Sequence, residues 1–105
     1  MIPTLEQLSS QLRDLMGDVQ GEGNLRYSLS DDYLGEAGHP TKEGLEAIRL
    51  VAKTEGIFLD PIYTGKAMAA VMDLIKKGKF LREENLLFWN TSSPPIFFAF
   101  DQYLC

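Results

Sequence analysis

Twice in this 105-residue chain, a stretch of helical periodicity stops at a glycine and a short apolar run follows. Residues 41–55 carry Leu45, Ile48, Val51 and Ala52 at helical spacing, Gly56 ends the pattern, and IFL follows at 57–59. Residues 65–77 carry Ala67, Met68, Val71, Met72 and Ile75, Gly78 ends them, and LLFW follows at 86–89. Three- and four-residue spacing gathers side chains on one helix face. A glycine just past the last turn accepts the left-handed backbone of a helix end. Short runs with aromatic or β-branched members read as buried strands. The order helix, strand, helix, strand predicts an α/β fold, a partial parallel sheet with flanking helices.

The flanks add less. Leu5, Leu8, Leu12, Leu15 and Met16 predict a helix over 4–16, capped by Thr4 and ended by Gly17. GDVQGEG at 17–23 reads as a loop, and Leu25, Tyr27 and Leu29 alternate with polar residues as in a short strand. DDYLGEAGHP at 31–40 is a loop, with Thr41 as the cap of the helix it leads into. At the other end IFFAF, at 96–100, crowds three phenylalanines behind two prolines, an apolar surface that calls for a partner.

Several function classes drop out. A net charge of −5 provides no basic face for nucleic acid. The basic cluster KKGKF at 76–80 is a helix end, where cations oppose the helix dipole. No run of about 18 apolar residues is present, so no membrane span is expected. The lone cysteine, Cys105, excludes a disulfide framework, and with an N-terminus unlike a signal peptide it leads to a cytoplasmic expectation. The lone histidine, His39, stands beside Pro40 in a loop, so neither a metal cluster nor a Ser–His–Asp triad is easily assembled. Asp31 and Asp32 read as a solvated loop pair.

Two segments carry chemistry. DPIYTGK at 60–66 and NTSSPP at 90–95 each follow a predicted strand, where ligands bind in open α/β sheets. Tyr63, Thr64, Thr91, Ser92 and Ser93 bring hydroxyls that could bond a ring nitrogen or a carboxylate. Equally, Thr64 could cap a helix and 91–93 could be a polar turn, and the residues alone leave both readings open. A phosphate loop is excluded: Gly65-Lys66 lacks the glycine five residues earlier, and Ala67 stands where the metal-binding hydroxyl belongs. GEG at 21–23 follows no strand and is no dinucleotide fingerprint.

The run PTKEGLEAIRLVAKTEGIFLDPIYTGKAMAAVMDLIKKGKF, with SDDY before it and LLFWNTSSPPIFFAF after it, resembles the C-terminal part of a known enzyme family. That family is the D-cysteine desulfhydrase and 1-aminocyclopropane-1-carboxylate deaminase family, pyridoxal-phosphate enzymes of the tryptophan-synthase-β fold (fold type II). Its members are roughly three times longer, so the resemblance makes residues 1–105 a single partial domain. Residues 1–28 would be helix and loop, and 29–100 the family-matching core. The resemblance puts the family's Schiff-base lysine and phosphate loop in the portion preceding these residues.

Position by position, the resemblance implies that Tyr63 faces the substrate as the catalytic residue, while Thr64 and Thr91 are cofactor-binding. Thr64 rather than glutamate leans toward the desulfhydrase branch. A threonine near the pyridine nitrogen leaves the ring unprotonated, which suits β-elimination from a small amino acid such as D-cysteine. The family's second active-site tyrosine is replaced by Ala37, and its HTGG segment reads Asn90, Thr91, Ser92, Ser93. Side chains in place of those glycines would obstruct close approach of a ligand. The expectation is a truncated family member, inactive alone and not binding pyridoxal phosphate by itself. The alternative is a non-catalytic module that forms a homodimer or joins a complementing chain through its apolar C-terminal segment.

Overall fold

The computed structural model describes residues 28–92 and 94–103, together with positions 4, 7, 8, 10, 11 and 14. Two helices dominate: α1, Lys42–Glu55, and α2, Thr64–Lys76. A short helix, α3, Pro94–Ala99, and a single 3₁₀ turn, Asp101–Tyr103, follow.

Each helix begins and ends for a local reason. Thr41 caps α1 by accepting the Gly44 N–H at 3.1 Å on its hydroxyl, and Gly56 closes it in the left-handed region at φ 67°. At the end of α2, Gly78 takes φ 68°, its N–H donating to Ile75 O while Lys79 N–H donates to Leu74 O. These two bonds close a paired Schellman arrangement at the helix end that KKGKF was read as. At the N-terminus, Thr4 and Gln7 form a reciprocal capping box, and the described positions 7, 8, 10, 11 and 14 are helical. The 17–23 loop and most of the strand placed over 24–30 lie outside the described residues. Residues 28–30 form no strand.

α1 and α2 pack against each other, and Ile48, Val51 and Leu59 form the core between them, with Leu45, Met68, Met72 and Phe88 packed around it. The helices approach closely where Gly65 meets Ile48. A Cβ on Gly65 would stand 2.7 Å from Ile48 Cδ1 and 2.8 Å from Asp60 O, so glycine is required there. Each predicted strand sends one side chain inward, Leu59 from the first run and Phe88 from the second.

The sheet itself does not form among the described residues: 57–59 and 86–89 run without a ladder. A strand exists only through hydrogen bonds to a neighbouring strand, and β-branched and aromatic composition sets a preference, not a partner. The other side chains of these runs, Ile57, Phe58, Leu86, Leu87 and Trp89, face outward and are exposed. The helices therefore cover one side of the two runs and leave the other open. No described helix is long and apolar enough to cross a membrane.

Candidate functional site

The turn that leads into α2 is organised by Asp60, a residue the sequence reading passed over. Its carboxylate accepts the N–H groups of Ile62 at 3.0 Å, Tyr63 at 2.6 Å and Thr64 at 3.1 Å. The Thr64 hydroxyl donates to the same carboxylate at 2.7 Å. Asp60 therefore does for the start of α2 what an N-cap does, one turn early, and Pro61 costs nothing there because the first N–H would have no partner in any case. Asp60-Pro61 was the signal in the sequence. Burial, the largest single influence on this carboxyl, disfavours its charge. The Thr64 hydroxyl and the three backbone N–H groups together outweigh it and hold the pKa below the ordinary value.

A free helix N-terminus attracts anions. Here the protein's own carboxylate already occupies that position, so the start of α2 is no phosphate cradle.

The two chemistry-bearing segments meet at this turn. Ser92 Oγ lies 2.7 Å from Thr64 Oγ1, and the Asp60 N–H donates to both, at 2.8 Å to Thr64 and 3.0 Å to Ser92. Residues 63–64 and 91–92, distant in sequence, thus share one corner of the fold. Thr64 is buried, with its hydroxyl engaged on every side. Tyr63, 66% exposed, and Thr91, also exposed, are the chain neighbours of that hydroxyl pair. The Ser92 side chain is built into the corner through its bonds to Thr64 Oγ1 and the Asp60 N–H. No described residue other than glycine has a positive φ, so residues 90–92 hold their path without glycine's backbone freedom.

Lys66 is the second surprise. It is 5% exposed, and its ammonium donates to Leu34 O at 2.6 Å and Glu36 O at 3.3 Å. The first turn of α2 thus clamps the 31–40 loop on one side as it holds the 90–92 segment on the other. Gly35 makes the clamp possible: φ is 58°, and a Cβ there would come 2.6 Å from Thr41 Cγ2. Ala37, in the same loop, is exposed.

Away from this corner, a groove of about 560 Å³ runs between the two helices and the 31–35 loop. Tyr33, Asp73, Lys76 and Glu46 are among its lining residues, and neither Tyr63, Thr64, Thr91 nor Ser92 borders it. Within it the Tyr33 hydroxyl donates to Asp73 Oδ2 at 2.5 Å, and Lys77 pairs with the same oxygen. Asp73 is held below its ordinary pKa, by Lys77 first and Tyr33 second, and Tyr33 is raised by Asp73.

As chemistry, the corner offers hydroxyl groups for a ring or a carboxylate, no uncommitted lysine in its own segment and no ring of free N–H groups for a phosphate. Residues 4–92 match the family of pyridoxal-phosphate dependent enzymes. The D-cysteine desulfhydrase of Yersinia enterocolitica is 39% identical over 99 residues, which cover 93% of this chain and 29% of that protein. The chain thus spans less than a third of the length of that relative. It belongs to the pyridoxal-phosphate dependent enzyme family, whose members share the fold type II architecture.

Proposed function

We propose that this member of the pyridoxal-phosphate dependent enzyme family supplies one wall of a desulfhydrase site. The reaction is β-elimination from a thiol amino acid such as D-cysteine, with water taken up and pyruvate, ammonia and hydrogen sulfide released. One observation carries the reading: the 2.7 Å contact between the Thr64 and Ser92 hydroxyls brings together the two segments that the family resemblance assigns to the cofactor. The cofactor, when bound, supplies a reactive aldehyde and an electron-withdrawing ring.

This chain's residues would do the rest. Tyr63 stands at the surface of the corner and meets the substrate. Thr91 offers a neutral hydroxyl to the ring nitrogen. Thr64, its proton given to Asp60, contributes by shaping the corner. Residues 29–100 act as a partial domain, and 57–59 and 86–89 become strands of a parallel sheet when neighbouring strands are supplied.

In this reading residues 1–105 alone do not carry out the elimination: Lys66, the lysine of the corner's own segment, is committed to Leu34 and Glu36 and is not offered to the cofactor. The test is to add pyridoxal phosphate to the purified chain, reduce with borohydride, and map any adduct while assaying sulfide release from D-cysteine. The expected result is saturable quenching of Trp89 with neither an adduct on Lys66 nor sulfide. An adduct on Lys66 accompanied by sulfide release would overturn the reading.

The exposed side chains of Leu86, Leu87, Trp89 and Phe98 favour a second reading. In it the chain is an interaction module that dimerises or joins a longer chain of the same family through this apolar surface. Size-exclusion chromatography with light scattering separates the two: a folded monomer at all concentrations counts against it.

A further inference from the structure

The link between the 90–92 segment and α2 is made by a serine, and the direction of its hydrogen bonds can be worked out. Asp60 Oδ2 belongs to a carboxylate and can only accept, so the Thr64 hydroxyl gives it its single proton, at 2.7 Å. The proton shared between Thr64 Oγ1 and Ser92 Oγ must then come from Ser92. Ser92 Oγ in turn accepts the Asp60 N–H at 3.0 Å. The chain runs from Ser92 to Thr64 to Asp60, each hydroxyl donating once, and such runs reinforce one another. Ser92 N–H, donating to Asn90 Oδ1 at 3.1 Å, closes the segment on its other side.

We infer that Ser92 is a positioning residue: its hydroxyl, committed inside the Asp60–Thr64 network, pins residues 90–92 to the start of α2 and leaves Thr91 as the hydroxyl of that segment presented to a ligand. Neither Thr64 nor Ser92 retains a proton to donate outward. On the 90–92 side of the corner a ligand atom that needs a hydroxyl donor is met by Thr91, across from the exposed phenol of Tyr63. The inference rests on the proposed cofactor reading only for the identity of that ligand.

The experiment compares Ser92→Ala, Ser92→Thr and Thr91→Val with the full chain. Backbone ¹⁵N relaxation reports the pinning, and quenching of the single tryptophan, Trp89, by added pyridoxal phosphate reports binding. In Ser92→Ala the order parameters of residues 90–92 should fall from about 0.85 to below about 0.6, the range of a mobile segment. Those of Ile48 and Val51 should stay unchanged, and Ser92→Thr, which keeps the hydroxyl, should restore the rigid values. Pyridoxal phosphate should bind several-fold more weakly to both Ser92→Ala and Thr91→Val.

Unchanged order parameters in Ser92→Ala would overturn the inference, as would weakened binding in Thr91→Val with none in Ser92→Ala. If the segment loosens as expected but the unmodified chain binds no pyridoxal phosphate, the pinning stands and the cofactor reading fails.

Discussion

The ammonium of Lys66 lies 2.6 Å from the carbonyl oxygen of Leu34, tying the first turn of α2 to a loop 32 residues earlier. A charged donor on a backbone acceptor contributes about 1.5–3 kcal/mol when the geometry is good. Lys66→Met keeps most of the apolar stem and removes the donor. It should lower stability by about 1–3 kcal/mol in urea unfolding and release amide protection across 34–39 while leaving α1 protected. Unchanged protection in the loop would mean that the clamp does not hold it.

Asp60 should give the protein an acid limb. Its carboxyl is held below the ordinary value, so the stability it contributes is fully present above about pH 4, the unfolded aspartate range, and is lost as pH falls through the lower folded value. Asp73 is shifted in the same direction by Lys77 and Tyr33, so the comparison must be with a variant, not with a single curve. Asp60→Asn should cost about 1–3 kcal/mol at neutral pH and give a shallower loss between pH 5 and pH 2 than the parent, as read from urea midpoints. Parallel curves would show that Asp60 contributes nothing to the acid limb.

Helix ends were legible in the sequence because caps are local: Thr41, Gly56 and Gly78 each act within a few residues of themselves. The strands were not, since residues 57–59 and 86–89 show the right composition but a ladder needs neighbours that composition cannot name. Long-range roles stayed hidden for a similar reason. Nothing near Lys66 in the sequence names its partners, which are carbonyls of the 31–40 loop folded over it. Ser92 reads as a side chain in the way until Thr64 and Asp60 are found beside it. Asp60-Pro61 is a local signal of the same kind, an acceptor ahead of the first N–H groups of α2, and was legible beside Thr64. The sequence paired 60–66 with 90–95 as the ends of two parallel strands; the segments do meet, but through Asp60, Thr64 and Ser92 and without a ladder among the described residues.

Gly65→Ala sets two effects against each other. Alanine favours a helix over glycine by about 1 kcal/mol. Its methyl group, however, would meet both Ile48 and the Asp60 carbonyl below 3.0 Å, and that carbonyl already accepts the Gly65 N–H at 2.8 Å. Overpacking of this kind costs about 1–3 kcal/mol, and a backbone oxygen cannot swing aside as a side chain can. The clash should win, with the melting temperature by circular dichroism falling several degrees. Trimming the neighbour in Gly65→Ala/Ile48→Val should recover little, since the Asp60 contact remains. A melting temperature at or above the parent's would mean that α1 and α2 can move apart at no cost.

Tyr33 offers a check on the groove that is independent of the cofactor question. Its hydroxyl donates to Asp73, whose negative charge opposes a second one on the phenol, so Tyr33 should ionise above the ordinary tyrosine range. The sign is that of a raised group: the stability from this bond is complete below the unfolded tyrosine pKa and fades as pH rises through the folded one. Alkaline ultraviolet titration of the parent should show a late step that belongs to Tyr33. Tyr33→Phe should delete that late step, and Asp73→Asn should move it back toward the others. Lys77 acts on Tyr33 in the opposite direction, lowering its pKa, so Lys77→Met should delay the step further. A late step that survives Tyr33→Phe would place the perturbed phenol elsewhere and leave Tyr33 as an ordinary surface tyrosine.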